Sequence, residues 1–437
     1  MVYSIINSMM NRASALFHIQ HKATPADLDK LPVEIWLQVF NHLPAKDIVS
    51  FNRTCKLAHH ITDLTGIDIN ARLEDEALEI LWEKKLSPCN FLFQKGETKP
   101  RSLLEIKKWL ANPANEEKLA AFKELDFSHC NLKVIPAQLL SKFKNLRTLF
   151  LTNNKLTSLP DSLCTLSNLH CLYLNNNLIS YLPESFGNLS NLRFLWIQNN
   201  CLTKLPESFF NLKLICELEL ENNKFSYIPE SLGTLICLER LHLNNNKLSK
   251  LPESIGNLTK LQTFYAHTNK LTNLPESIGN LQSLVSLQLH NNKLECIPDS
   301  IGNLTHLIEL LTSNNKLTRL PESIGNLSSL RNLLLDNNQL KTLPDSISRL
   351  NLLVELRLKN NHLVNLPDLS TFNELKAFTY TGNPSLHIPD DLAARFPLPY
   401  TLQEVMYLFN SNQPIDPQRI DLSLINALQN LEAKTAN

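Results

Sequence analysis

Histidines and glutamates are the residues of this 437-residue chain whose types and spacing offer the most chemistry. His267 and His290 stand 23 residues apart, His242 precedes them, and Glu219 and Glu221 come before all three. Imidazoles and carboxylates ligate Zn²⁺, and imidazoles titrate near neutral pH, so a metal or pH-sensing site is one interpretation. We favour the other interpretation, in which these are solvated polar positions of a partner-binding surface, with no metal.

The overall composition excludes several functional classes. Lys plus Arg and Asp plus Glu are both 42, so the chain lacks the basic balance typical of a nucleic-acid-binding protein. Only nine glycines are present, and neither GxGxxG nor GxxxxGK[ST] occurs, so we expect no nucleotide cofactor and no other cofactor. No apolar run approaches the ~18 residues of a membrane span.

Cysteine usage and the first residues favour a reducing compartment. The nine cysteines form no CxxC pair, which fits neither a disulfide framework nor a zinc ribbon. Residues 1–20 lack a basic segment followed by an apolar one, so they predict no secretory signal peptide. The expected location is cytoplasmic.

A 23-residue period organises most of the chain and must position these side chains. Prolines recur at this interval from Pro160 to Pro367, and six residues before each of them stands an asparagine. In the first unit Cys130 takes the asparagine position. The unit reads LxxLxLxxNxLxxLPxxIxxLxx. Its alternating leucines predict a short strand with one buried face. Its asparagine predicts a hydrogen-bonded ladder through the stacked repeats. Its LP pair predicts a turn into a short helical or extended segment.

This unit resembles the leucine-rich repeat family over residues 122–390, about twelve copies. The resemblance implies an α/β repeat fold, a solenoid in which parallel strands line a concave face. Single repeats cannot bury their own core, so both ends need caps. Residues two, four and six positions before each ladder asparagine are then expected to face solvent.

The concave face is the expected binding surface. Phe150, Tyr173, Phe194 and Trp196 are predicted to form one aromatic patch across three strands about 4.8 Å apart, and Glu217, Glu219 and Glu221 share one strand. We expect a ligand with an apolar anchor beside a basic group; the alternative is that the aromatics only cover the solenoid or pack on an N-terminal module. The predicted target-binding residues are Phe150, Tyr173, Phe194, Trp196, Glu217, Glu219, Glu221, Arg240, His242, Tyr265, His267, His290 and Arg357.

Residues 31–63 predict three short helices, too small to be stable alone. Leu31, Pro32, Glu34, Ile35, Phe40, Leu43, Asp47, Ile48, Cys55 and Lys56 resemble the F-box family, which docks on the Skp adaptor of SCF ubiquitin ligases. The resemblance implies adaptor contacts by Leu31, Pro32, Ile35, Val39, Phe40, Leu43, Pro44 and Ile48. Ala58 stands where the family usually has Trp, a position that mainly completes the small core. The alternative is a helical cap over the first repeat.

The predicted organisation has five parts: a weakly ordered N-terminus (1–24), an F-box-like module (25–65), a helical linker and cap (66–121), the solenoid (122–390) and a helical C-terminal cap (391–437). Together the resemblances imply a non-enzymatic substrate receptor that binds the Skp adaptor, through it cullin, and an unknown target.

The last cysteine, Cys296, lies inside the repeats, which argues against a catalytic cysteine domain after them. The alternative is a pure interaction scaffold, similar to Ras-group leucine-rich-repeat proteins. Near-identical repeats also suggest a bacterial effector acting in a host cytosol.

Overall fold

The computed structural model describes residues 69–89, 92–93, 97–396 and 405. They fall into two compact units that divide between Leu189 and Ser190. The predicted adaptor-binding residues and the C-terminal helical stretches near 401–410 and 421–433 lie outside the described residues, apart from Val405.

Helices come first in the described part of the first unit. Helix α1 (Ile69–Leu81) runs into a π-helical turn (Trp82–Leu86), and α2 (Leu103–Ala111) and α3 (Pro113–Ala120) follow. Ser102 and Glu105 form a capping box at the start of α2, and Pro113 begins α3, where its missing N–H costs no hydrogen bond. The Trp82 and Trp109 rings pack edge to face with centroids 5.1 Å apart and join these helices.

Three parallel strands complete the first unit: β1 (Glu124–Asp126), β2 (Thr148–Phe150) and β3 (Cys171–Tyr173). Between them lie α4 (Ala137–Leu140) and a 3₁₀ segment (Asp161–Thr165), and a second 3₁₀ segment (Glu184–Asn188) follows β3. The helical region contacts the first repeat directly. Lys85 Nζ lies 3.4 Å from Asp126 Oδ2, and the Ala137 amide donates to Glu74 Oε2 at 3.3 Å.

The second unit, as described, repeats one strand and one turn. Its parallel strands pair in chain order and are β4 (Phe194–Trp196), β5 (Glu217–Glu219), β6 (Arg240–His242), β7 (Thr263–Tyr265), β8 (Ser286–Gln288), β9 (Glu309–Leu311), β10 (Asn332–Leu334), β11 (Glu355–Arg357) and β12 (Ala377–Thr379). The 3₁₀ segments are Glu207–Asn211, Glu230–Thr234, Glu253–Asn257, Glu276–Asn280, Asp299–Asn303, Glu322–Asn326 and Asp345–Arg349. Helix α5 (Asp390–Arg395) follows β12.

Each repeat buries its apolar residues as the sequence pattern predicts. In β8 the middle residue Leu287 is fully buried, as are Leu289 and Leu294 further along the unit. Pro298 then precedes a 3₁₀ turn, in which Ile301 is fully buried. The turn is therefore helical, the first of the two forms that the sequence left open. The stacked apolar layers are the core that a single repeat cannot build.

The asparagine ladder supplies the polar half of this core, and its prediction is confirmed. Asn269 Oδ1 accepts the Leu248 amide at 2.9 Å, and its Nδ2 donates to the carbonyls of Leu243 and Ala266 at 2.9 and 3.1 Å. Asn246 and Asn292 repeat the arrangement on either side. The side chain thus satisfies buried backbone groups that no strand partner reaches.

No helix in the described part of the chain has the length and apolar character that crossing a bilayer requires.

Candidate functional site

Strands β4 to β7 of the second unit align polar and aromatic side chains on one face of the sheet. Their register aligns Trp196 with Glu219, Glu219 with His242, and His242 with Tyr265. The residue before each of these in its strand, such as Leu218, points inward and is buried. Because strand residues alternate between faces, the aligned polar residues stand side by side on one face of the sheet, the face that the resemblance predicts to be concave.

Glu217 is not the solvent-facing residue that the sequence predicted. It is only 6% exposed, and its two oxygens are both engaged. Trp196 Nε1 donates to Oε1 at 2.6 Å, and an Arg240 guanidinium nitrogen donates to Oε2 at 2.9 Å. The long side chains of the two flanking strands cover this carboxylate. Glu217 therefore fixes Trp196 and Arg240 in place, and we no longer expect it to contact a ligand directly.

Glu219 lies at the centre of a second group of polar side chains. Gln198 Nε2 donates to its Oε2 at 3.1 Å, and His242 Nδ1 lies 3.5 Å from its Oε1. Burial, and next the charges of Glu221 and Glu217, raise the pKa of Glu219 to about 7. At neutral pH this carboxyl is therefore about half protonated, which is unusual for a glutamate.

Glu221 and His242 each carry a buried atom without a hydrogen-bond partner. These atoms are Oε2 of Glu221 and Nε2 of His242, and Oε1 of Gln198, which is bonded through its Nε2 to Glu219, also has no partner among the described residues. Burial raises the pKa of Glu221 and lowers the pKa of His242. We refer to Gln198, Glu219, Glu221 and His242 as the Glu219 cluster.

Metal-ligand geometry is partly present in this cluster. One ligand atom each from Glu219, Glu221 and His242 lie within 4.8 Å of one another. The group contains both glutamates and one of the three histidines that the sequence offers as metal ligands. His267 and His290, the other two, do not belong to this group.

His242, His267 and His290 each take part in a ring stack. His267 and His290 stack with centroids 4.1 Å apart, and His242 stacks on Tyr265 at 4.5 Å. Burial, and next the His290 charge, lower the pKa of His267 to about 4, and burial also lowers that of His290. Both rings are therefore neutral at physiological pH. This disfavours the pH-sensing interpretation for the His267–His290 pair.

Other predicted contact residues lie elsewhere in each unit. In the first unit Phe150 and Tyr173 stack face to face at 4.7 Å on adjacent strands. In the second unit Phe194 and Trp196 occupy one strand, two residues apart. Arg357, on β11, pairs with Glu355 at 2.6 Å. The continuous aromatic patch stays a prediction.

The sequence analysis missed Gln198 as a site residue. Its position two residues before Asn200 is a concave-face position, so the repeat register could have identified it. Its importance comes from the hydrogen bond to Glu219 on the neighbouring strand, which a single-strand pattern does not encode.

Comparison with known families agrees with this architecture. A leucine-rich repeat region model matches four overlapping segments that together span residues 101–333, more than half of the chain. The chain belongs to the leucine-rich repeat family. Residues 318–411 also match the repeats of leucine-rich repeat and WD repeat-containing protein 1. Residues 28–64 match the F-box-like model, which supports the second resemblance found in the sequence.

Solved leucine-rich repeat structures are similar in fold. The ectodomain of the receptor kinase GASSHO1/SCHENGEN3 from Arabidopsis thaliana, solved with CASPARIAN STRIP INTEGRITY FACTOR 2, is 32% identical with a TM-score of 0.53 over 62% of this chain and 37% of that one. The Arabidopsis receptor kinase HAESA, solved with the peptide hormone IDA and the co-receptor SERK1, is 31% identical (TM-score 0.54; 64% and 49%). InlJ from Listeria monocytogenes is 26% identical (TM-score 0.55; 65% and 59%).

The chain therefore spans less than two thirds of each of these three relatives. No curated protein matches it in sequence.

Proposed function

We propose that this leucine-rich repeat protein is the substrate-recognition subunit of an SCF-type ubiquitin ligase. The observation that carries the proposal is the F-box-like match over residues 28–64, which precedes the repeats matched from residue 101 onward. In this role the F-box-like segment binds the Skp adaptor, and through it cullin, while the concave face binds a target protein. The solved receptors GASSHO1/SCHENGEN3 and HAESA, each in complex with a ligand, support a binding role for such arrays.

A receptor of this kind needs no active site of its own. It holds the target close to a ubiquitin-conjugating enzyme, which raises the effective concentration of the reacting groups. The proposal therefore assigns neither a nucleophile nor a cofactor to this chain. It also implies a cytosol that contains the ligase, and a host cytosol if the chain is a bacterial effector.

A second candidate function is an interaction scaffold outside the ubiquitin pathway. Contacts between the helical region and the first repeat favour it, because Glu74 and Lys85 bond to the first repeat as the residues of a solenoid cap would. In that case residues 31–63 extend this cap, and the concave face stays the working surface.

Co-purification with recombinant Skp adaptor separates the two functions. The full chain is compared with Leu31→Ala plus Pro32→Ala, which removes two predicted adaptor contacts, and with Leu104→Ala, which removes an exposed leucine of α2. We expect wild type and Leu104→Ala to retain the adaptor, and the double variant to retain at least about 10-fold less, because interface anchors carry most of the binding energy.

Circular dichroism of each preparation confirms that the repeat array is folded. No adaptor retention by folded wild type, or equal retention by the double variant, would reject the receptor function and leave the scaffold.

A further inference from the structure

The Glu219 cluster has hydrogen-bond acceptors in excess of donors. Among the described residues, no donor reaches Oε2 of Glu221 or Oε1 of Gln198. The His242 tautomer that donates Nδ1–H toward Glu219 leaves a lone pair at Nε2, which also has no partner. Unpaired buried acceptors are costly, so a site that collects three of them favours a ligand rich in donors.

Arg240 lowers the pKa of Glu219 only as the smallest of the influences on it, so it does not neutralise this cluster. Arg240 lies on the adjacent strand, yet its guanidinium bonds to Glu217 at 2.9 Å instead. Glu219 and Glu221 are left close together, and the mutual repulsion of Glu217, Glu219 and Glu221 adds to burial in raising the pKa of Glu219. A cation from outside the chain would remove this penalty by favouring the ionised carboxylates.

The spacing of the cluster suits a single ammonium nitrogen. Three points within 4.8 Å of one another always lie within about 2.8 Å of a common centre, and 2.7–2.9 Å is the usual N⁺–H···O⁻ distance. An ammonium group has three N–H donors that diverge from one atom, whereas a guanidinium spreads its donors over a planar fork.

The cluster also opens towards solvent. The side chains of Glu219 and His242 are 15% and 18% exposed. The terminal torsion of a glutamate is soft, so a small rotation brings the buried Glu221 oxygen towards an incoming donor. Trp196 and Tyr265 occupy the aligned positions on the outer strands, where they flank the entrance with aromatic surface suited to a lysine stem.

We propose that the concave face at β5 binds the ammonium group of a lysine side chain of a partner protein, held by Glu219, Glu221 and His242 with Gln198 as a further acceptor. The lysine site rests on the proposed target-binding role of that face. It specifies that the target presents a lysine beside an apolar surface.

A small-molecule probe tests this on the full chain. The chain is labelled with ¹³C at histidine Cε1, the His242 signal is assigned by its loss in His242→Gln, and n-butylammonium chloride is titrated in. Tetramethylammonium chloride is the matched cation without N–H donors. We expect a saturable His242 shift with an apparent Kd at least about 10-fold lower for butylammonium, because only this cation can donate to the orphaned acceptors.

Two variants locate the effect. Glu219→Gln plus Glu221→Gln keeps the side-chain shapes and removes both charges, so the butylammonium shift is expected to disappear. Glu309→Gln changes a carboxylate of β9 that accepts hydrogen bonds from Ser286 and Asn332, so it is expected to keep the shift. Unfolding temperatures show whether each variant is folded.

Several results would overturn the proposal: no saturable shift in wild type, the same response to both cations, or an unchanged shift in the double glutamine variant. A saturable response to zinc chloride that EDTA reverses, tighter than the ammonium response, would instead identify a metal site. Adaptor co-purification of the same preparations reports on the receptor function separately, because the predicted adaptor contacts lie at residues 31–48.

Discussion

The asparagine ladder and the Glu219 cluster differ in how their buried polar atoms are paired. Each buried ladder asparagine, such as Asn269, uses its oxygen and both amide hydrogens on backbone partners. In the Glu219 cluster Gln198, Glu221 and His242 each leave a buried atom unpaired. Buried polar groups that are fully hydrogen-bonded stabilise a fold, whereas unpaired ones lower its stability. Unpaired groups are therefore expected mainly at functional sites. The ladder asparagines therefore use their hydrogen-bonding capacity to build the solenoid, whereas the Glu219 cluster keeps part of its capacity unused.

Removing a ladder side chain tests the structural side of this comparison and should give the largest effect. Asn269→Ala leaves the Leu248 amide without its partner inside the core. It also removes one of the two asparagine donors from the carbonyls of Leu243 and Ala266, which keep those of Asn246 and Asn292. We expect a loss of about 3 kcal/mol in the free energy of unfolding, since an orphaned buried group costs roughly 1–3 kcal/mol and each further lost hydrogen bond about 1 kcal/mol. Urea denaturation followed by circular dichroism measures this loss.

Asn303→Ala is the matched control, because Asn303 is exposed at the end of a 3₁₀ segment. Its change is expected to stay within about 0.5 kcal/mol. An equal loss in both variants would mean that the ladder does not carry the stability assigned to it.

Neutralising Glu219 tests the Glu219 cluster, and it should raise the free energy of unfolding instead of lowering it. Its pKa is about 7 in the folded chain, above the ordinary value of 4.5, so ionised Glu219 destabilises the fold. That penalty is absent below pH 4.5, grows between pH 4.5 and 7, and is complete above pH 7. Glu219→Gln is therefore expected to stabilise the protein by about 2 kcal/mol at pH 8 and to give no gain at pH 4.

Urea denaturation at the two pH values measures this gain. Glu309→Gln on the same face can accept only one of the hydrogen bonds from Ser286 and Asn332 and is expected to give no gain at either pH. A Glu219→Gln variant that is less stable than wild type at pH 8 would show that the cluster contributes to the fold.

The repeat fold could be predicted from the sequence because every repeat carries the same pattern of residues. Alternating leucines, the ladder asparagine and the proline recur at one interval, so an error in one unit is corrected by its neighbours. The repeat register also placed Glu219 and His242 on the concave face. It could not predict that Glu217 is buried, because this depends on how far the Trp196 and Arg240 side chains reach across two strands.

The smallest predicted effect concerns a backbone position beside the ladder. The residue before each ladder asparagine has a positive φ, and from Asn153 to Asn360 it is an asparagine in every unit except one, where Thr268 has φ 55°. A β-branched residue is strained there, whereas asparagine tolerates this conformation and can bond to its neighbour, as Asn360 Nδ2 does to Asn337 Oδ1 at 2.7 Å. Thr268→Asn is therefore expected to add about 1 kcal/mol to the free energy of unfolding. Thr272→Asn, at an exposed position without a positive φ, should add nothing; if both variants behave alike in urea, the backbone strain assigned to Thr268 is wrong.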